Sequence, residues 1–280
     1  MHQRPRLRSQ GTLACALSLV LIAQLGAQDQ EELPEDIRDV PAVRLHAPED
    51  KAMDYFLIGG SGKDEERSKD QEAPLKLLLV LPGGDGSADF HPFIRRIWKH
   101  ALSEDWLVAQ LVAPQWSDDQ AETLVWPTDK KEWPKMRFST EAFAAAVIED
   151  VERRYELDTA KIFTLSWSSG GPAAYAISLA KDSRVTGSFV GMSVFKPWQL
   201  PDLKAAEGHA YYLLHSPQDF IPIRMAEQAK EMLGKAKAKV HLETYEGGHR
   251  WPRNVYGSMR SGLSWLEENH AQPVKTKRKR

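Results

Sequence analysis

The stretch that decides the fold is residues 161–174, KIFTLSWSSGGPAA. Residues 162–165 are a short apolar run, Ser166-Trp167-Ser168-Ser169-Gly170-Gly171 follows at once, and 172–180 is built of small, helix-compatible residues. The pattern predicts a strand, a sharp turn and a helix, with a serine at the apex. So tight a turn is strained, and it brings backbones so close that the residues two before and two after the apex must be small. That rule selects among the three serines. Around Ser168 the flanking positions are Ser166 and Gly170, both small; around Ser169 they are Trp167 and Gly171, and the indole does not fit. Around Ser166 they are Thr164 and Ser168, a poorer match. Ser168 is the apex candidate.

Outward from this unit the chain alternates. Residues 75–81, LKLLLVL, are continuously apolar between Pro74 and Pro82, as a strand buried on both faces of a parallel sheet requires. Pro82-Gly83-Gly84-Asp85-Gly86 then turns the chain into 90–102, where Phe93, Ile94, Ile97, Trp98 and Leu102 have helical spacing. Residues 106–112 read as a second buried strand. Residues 114–138, rich in Trp and Pro, read as a long irregular connection of a kind that is often functional. Residues 140–155 predict a helix capped by Ser139 or Thr140, with Phe143, Val147, Ile148 and Val151 on one face. Beyond the Ser168 turn, 185–190 and 210–214 read as strands, 222–233 as a helix stopped at Gly234, 239–245 as a last strand and 255–268 as a closing helix. Upstream, 42–46 and 53–58 read as a hairpin, and 59–72 is too polar to bury. Strands alternating with helices predict an α/β fold with a mostly parallel central sheet and helices on both faces, in one domain over 41–270.

The ends read differently. Arg4, Arg6 and Arg8 precede a mostly apolar run over 12–25, Leu25-Gly26-Ala27 offers a small-residue exit, and no acidic residue occurs before Asp29. Residues 1–27 therefore predict a secretory signal peptide, with an uncleaved anchor as the alternative, and place the protein outside the cell or in the periplasm. No stable membrane span is expected after cleavage. Residues 28–40 read as a mobile lead-in and 271–280, ending KTKRKR, as a disordered basic tail. Loss of three arginines and no acid on cleavage lowers the formal charge from −2 to −5, which argues against nucleic-acid partners. The only cysteine, Cys15, falls in the leader, so the mature chain has no disulfide.

A serine hydroxyl is a poor nucleophile at neutral pH; it needs a base within hydrogen-bond reach and a carboxylate to orient that base. The strand–Ser–helix unit resembles the nucleophile elbow of the α/β-hydrolase superfamily, G-x-S-x-G, with Ser166 in place of the first glycine. In that superfamily the order along the chain is serine, acid, histidine. Asp219 fits the acid, in HSPQD at 215–219, directly after the strand ending at Leu214. Its rival, Asp202, lacks a strand before it. His249 fits the base, in YEGGH at 245–249, where Gly247 and Gly248 free the loop to turn the imidazole back toward the sheet edge. His241 lies inside a strand, His270 is near the tail, His91 and His100 precede the serine, and His215 precedes the acid.

The resemblance spans about 75–268 through LLLVLPGGDGSADF, SWSSGGPAAYA, HSPQD and YEGGHRWP. It lies nearest the phospholipase/carboxylesterase (dienelactone-hydrolase-like) branch and proteins like polyhydroxybutyrate depolymerases and feruloyl esterases. Pro82 stands where many members have histidine. The resemblance implies hydrolysis of a small-molecule or polymer-linked ester through an acyl-serine, with Ser168, Asp219 and His249 as the triad. The backbone N–H groups of Ser169 and of Gly84, or alternatively Asp85, form the oxyanion hole. It implies neither metal nor organic cofactor. Trp167, Trp251 and Trp198, with Phe195, are candidate walls of an acyl pocket. The alternatives are a serine peptidase of the prolyl-oligopeptidase type and a catalytically inactive binding module on the same fold.

Overall fold

The computed structural model describes residues 33–60 and 73–270. The expected leader at 1–27, residues 28–32 of the lead-in, residues 61–72 of the polar loop at 59–72 and the tail at 271–280 lie outside the described residues. The described end of the lead-in is anchored rather than loose. Ile37 and Val40 are buried against the core, and Arg96 and Lys99 pair with Asp36 and Asp39 at 2.6 and 2.7 Å.

Among the described residues eight strands form one sheet: β1 (Ala42–His46), β2 (Asp54–Ile58), β3 (Leu75–Leu81), β4 (Trp106–Leu111), β5 (Leu157–Trp167), β6 (Gly187–Gly191), β7 (Ala210–His215) and β8 (Lys239–Thr244), in the order β1-β2-β4-β3-β5-β6-β7-β8. β1 and β2 make the expected antiparallel hairpin, β2 joins β4 antiparallel, and every later pairing is parallel. Among the described residues six α-helices accompany the sheet: α1 (His91–Ala101), α2 (Asp118–Thr123), α3 (Thr140–Arg154), α4 (Gly171–Leu179), α5 (Arg224–Lys235) and α6 (Val255–Asn269). Among the described residues no helix is long and apolar enough to cross a membrane.

The two-sided burial foreseen for LKLLLVL is present. Leu77, Leu79 and Leu81 pack toward Phe143, Val147 and Val151 of α3 and Ile177 of α4. Leu78 and Val80 pack toward Ile94 and Ile97 of α1 and Met259 and Leu263 of α6. All five strand residues are fully buried, each stabilising by roughly 1.5–3 kcal/mol relative to exposure. α5 covers β7 and β8 through Ala229 and Leu233, on the α4 side.

Three elements differ from the sequence reading. β5 begins five residues earlier than its apolar run, because Leu157 pairs with Leu75; a register shift before Leu77 absorbs the intervening polar residues, which hid the strand from a hydrophobicity reading. The connection over 114–138 contains α2, started by the Ser117 hydroxyl accepting from the Gln120 N–H. α5 runs through Gly234. Its reversal falls on Lys237, at φ 66°, with the Lys237 and Ala238 N–H groups bonded to the Gly234 and Leu233 carbonyls, a Schellman closure whose left-handed residue is not the glycine.

Glu141 in the first turn of α3 is 7% exposed and accepts the Asp129 N–H through both carboxylate oxygens at 3.2 Å. Burial raises its pKa to about 7 from 4.5, with the nearby Asp129 charge also raising it and backbone hydrogen bonds opposing. A raised acid pKa means the folded state holds the proton more tightly. Its contribution is therefore fullest below pH 4.5 and is lost as pH rises toward 7. The stability difference between Glu141→Gln and wild type should move in favour of the variant by up to about 3 kcal/mol between pH 4.5 and pH 8, measured by urea unfolding of both proteins.

Candidate active site

The elbow forms where the sequence places it. β5 ends at Trp167, Ser168 has φ 51°, and a short turn over Ser168–Gly170 leads into α4. A left-handed conformation at a non-glycine residue costs about 1–2 kcal/mol and persists only where surrounding packing imposes it. The packing is explicit here. A Cβ on Gly170 would lie 2.3 Å from the Leu81 carbonyl oxygen, so only glycine lets the turn sit against the end of β3. A Cβ on Gly171 would lie 2.1 Å from the Ser193 hydroxyl, which donates to the Ser168 carbonyl at 2.6 Å and props the turn from behind. Ser166, the departure from the glycine pattern, is fully buried and its hydroxyl donates to the Phe189 carbonyl at 3.3 Å. A strand-to-strand hydrogen bond thus accommodates the extra atoms. Met192, after β6, is another left-handed non-glycine residue, at φ 39°, and it lines the same cavity as Ser168.

The His249 Nε2 lies 3.0 Å from the Ser168 Oγ, and its Nδ1 lies 3.0 and 2.9 Å from the two carboxylate oxygens of Asp219. A carboxylate only accepts, so Nδ1 carries the proton and Nε2 offers its lone pair to the serine hydroxyl. The Asp219 side chain is fully buried, and its Oδ1 also accepts the Ile221 N–H at 2.8 Å. Two loops that meet after β7 and β8 hold this pair. The Ser216 hydroxyl accepts the Gly248 N–H at 3.0 Å, and the Gln218 side-chain carbonyl accepts the Gly247 N–H at 3.0 Å. Gly247 and Gly248 take φ of 147° and 73°, the freedom that their position before the histidine called for. The Ser216 and Gln218 braces went unread in the sequence, although both belong to the quoted HSPQD loop.

The rim opposite the histidine comes from the loop after β3. Gly84 has φ 61°, and the Ser169 hydroxyl donates to its carbonyl at 2.8 Å, tying the two expected oxyanion residues together. A Cβ on Gly83 would lie 2.5 Å from the Trp167 ring and 2.9 Å from Ser168 Cβ. Trp126, from the irregular connection, is buried and donates its indole N–H to the Pro82 carbonyl at 3.0 Å. That gives the connection one definite duty, bracing this loop.

A cavity of about 480 Å³ opens over Ser168 and His249. Its walls are the rings of Phe90, Phe93, Trp167 and Trp251, with Met192, Gly84 and Arg250. The aromatic walls support one another edge to face: Trp167 meets Phe90 at 5.5 Å, Phe93 at 5.9 Å and Trp251 at 5.6 Å between ring centres. Trp167 and Trp251 therefore stand where they were expected. Trp198 does not: it sits on a turn over Pro197–Gln199, is 72% exposed and forms no part of the cavity wall. Phe195 is core, edge-on to Tyr175 at 5.2 Å. Phe90 and Phe93, which the sequence did not assign to the site, complete the wall instead, and the helical periodicity that marks Phe93 as apolar cannot tell a cavity wall from a core face.

The rival side chains are engaged elsewhere. His91 stacks on Phe56 at 4.1 Å and contacts the Gln110 side-chain oxygen at 3.0 Å; burial pushes its pKa down to about 4. His215 donates from Nε2 to the Ile221 carbonyl at 2.9 Å, supporting the Asp219 loop. His241 stacks on Tyr212, and Asp202 caps the turn at Lys204.

No protein-family model matches the chain, and a search of curated proteins finds no match. Solved structures do resemble it. A thermostable esterase superposes with a TM-score of 0.58 at 16% identity, over 84% of this chain and 64% of its own. A carboxylesterase of Bacillus cereus gives 0.50 at 15% identity, over 84% of this chain and 96% of its own. Dipeptidyl peptidase 4 of Porphyromonas gingivalis gives 0.56 at 11% identity, over 82% of this chain and 35% of its own. This chain thus spans less than two thirds of the esterase and about a third of the peptidase. At these identities the likeness is one of architecture, and with the sheet order above it establishes that the protein has the α/β-hydrolase fold.

Proposed function

We propose that the protein is a serine hydrolase that cleaves carboxylic esters through an acyl-serine intermediate. The observation that carries the reading is the unbroken line from the Asp219 carboxylate through His249 to the Ser168 hydroxyl, at 2.9 and 3.0 Å. Ser168 Oγ attacks the ester carbonyl as His249 Nε2 takes its proton. The charge on the imidazolium is balanced by Asp219, and the developing oxyanion is met by the Gly84 and Ser169 N–H groups. The imidazolium then protonates the departing alcohol, and the neutral ring activates the water that releases the acid. The aromatic cavity beside Ser168 suits an apolar or aromatic acyl group.

The test is a comparison of p-nitrophenyl acyl esters with aminoacyl p-nitroanilides, varying acyl length and aromaticity. Esters with aromatic or medium-length acyl groups should have the higher kcat/KM; preference for the amides would replace this reading with a peptidase. We also propose export directed by residues 1–27, so that the N-terminus of protein recovered outside the cytoplasm begins at Gln28; an N-terminus at Met1 there would mean an anchor instead.

A further inference from the structure

We propose that Phe220 is the platform for the leaving alcohol of the ester, and that this alcohol carries an aromatic or similarly flat apolar body. The inference rests on the esterase reading and deepens it. Phe220 directly follows Asp219 and is 77% exposed, although it is one of the largest apolar side chains. Its ring lies 4.3 Å from the His249 imidazole, centre to centre, tilted by 44°. It is not among the walls of the aromatic cavity, whereas His249 is. The imidazole therefore borders an apolar cavity and, apart from it, an exposed aromatic ring.

The chemistry assigns the two. When the tetrahedral intermediate collapses, the bond from the carbonyl carbon to the alcohol oxygen breaks, and that oxygen receives the proton that His249 Nε2 took from Ser168. The leaving oxygen must then lie within hydrogen-bond reach of Nε2, and whatever it carries must leave along the histidine side of the site. The acyl part, bonded to Ser168 Oγ, occupies the chamber lined by Trp167 and Trp251. Outside the cavity, the aromatic ring in contact with that imidazole is Phe220. An exposed ring costs nothing to desolvate from inside the fold, and it gains stacking and apolar contact only when a flat partner covers it.

The experiment uses two esters of one carboxylic acid, the 2-naphthylmethyl and the ethyl ester, and a reversed pair of ethyl esters with and without the naphthyl ring on the acyl side. Phe220→Ala should lower the naphthylmethyl-to-ethyl ratio of kcat/KM by about 3- to 10-fold and leave the ratio of the reversed pair within twofold. Phe220→Trp should restore the first ratio. If Phe220 only positions His249, both alcohols lose equally and the ratio stays put, which overturns the platform. A fall confined to the acyl-side pair overturns the assignment of sides. If the wild type turns over none of the four esters, the esterase reading fails and the platform falls with it.

Discussion

Ser168→Ala should lower turnover of a p-nitrophenyl ester by roughly 10⁶-fold, the magnitude that loss of the nucleophile has in a serine protease, with the fold intact. The side chain lost is a single hydroxyl at the floor of an open cavity, and the turn is held by Gly170, Gly171 and Ser193 rather than by Ser168 Oγ. The matching control is Ser169→Ala. It keeps the backbone N–H and loses the hydrogen bond to the Gly84 carbonyl, a change worth about 2- to 10-fold in rate if the rim loosens. Steady-state kinetics with circular dichroism on both variants distinguish the two roles. An exchange of behaviour between them would shift the register of the elbow by one residue.

Asp219→Asn should cost about 10⁴-fold in kcat, by the tautomer argument. The carboxylate accepts from His249 Nδ1 with both oxygens. An amide that turns its oxygen to the Ile221 N–H presents its NH2 to the imidazole, which then carries its proton on Nε2 and faces the Ser168 hydroxyl with a donor instead of a lone pair. A loss below tenfold, in a variant with a native thermal transition, would mean that another group orients His249.

The sequence carried the fold because the decisive features are local. A seven-residue apolar run bounded by prolines has few options other than a buried strand, and the Ser168 register follows from the size of Trp167. The histidine loop was legible for the same reason: two glycines before His249 answer a backbone requirement seen as two left-handed residues. What stayed hidden depends on contacts between distant segments. Trp126 bracing Pro82, Ser216 holding Gly248 and the approach of Phe220 to His249 join loops from different strands, and no periodicity records such a meeting. Trp198 misled because an aromatic residue in a loop after a strand near the catalytic edge reads the same whether it faces the cavity or solvent. The register shift at the start of β5 replaced an apolar signal with polar residues that only pairing to Leu75 identifies as strand.

The most direct test is covalent. A fluorophosphonate incubated with the native protein and mapped by peptide mass spectrometry should form one adduct, on the hydroxyl of residue 168, which disappears in Ser168→Ala and forms far more slowly in His249→Ala. An adduct on a different residue, or none under conditions in which a control esterase reacts fully, would contradict the account.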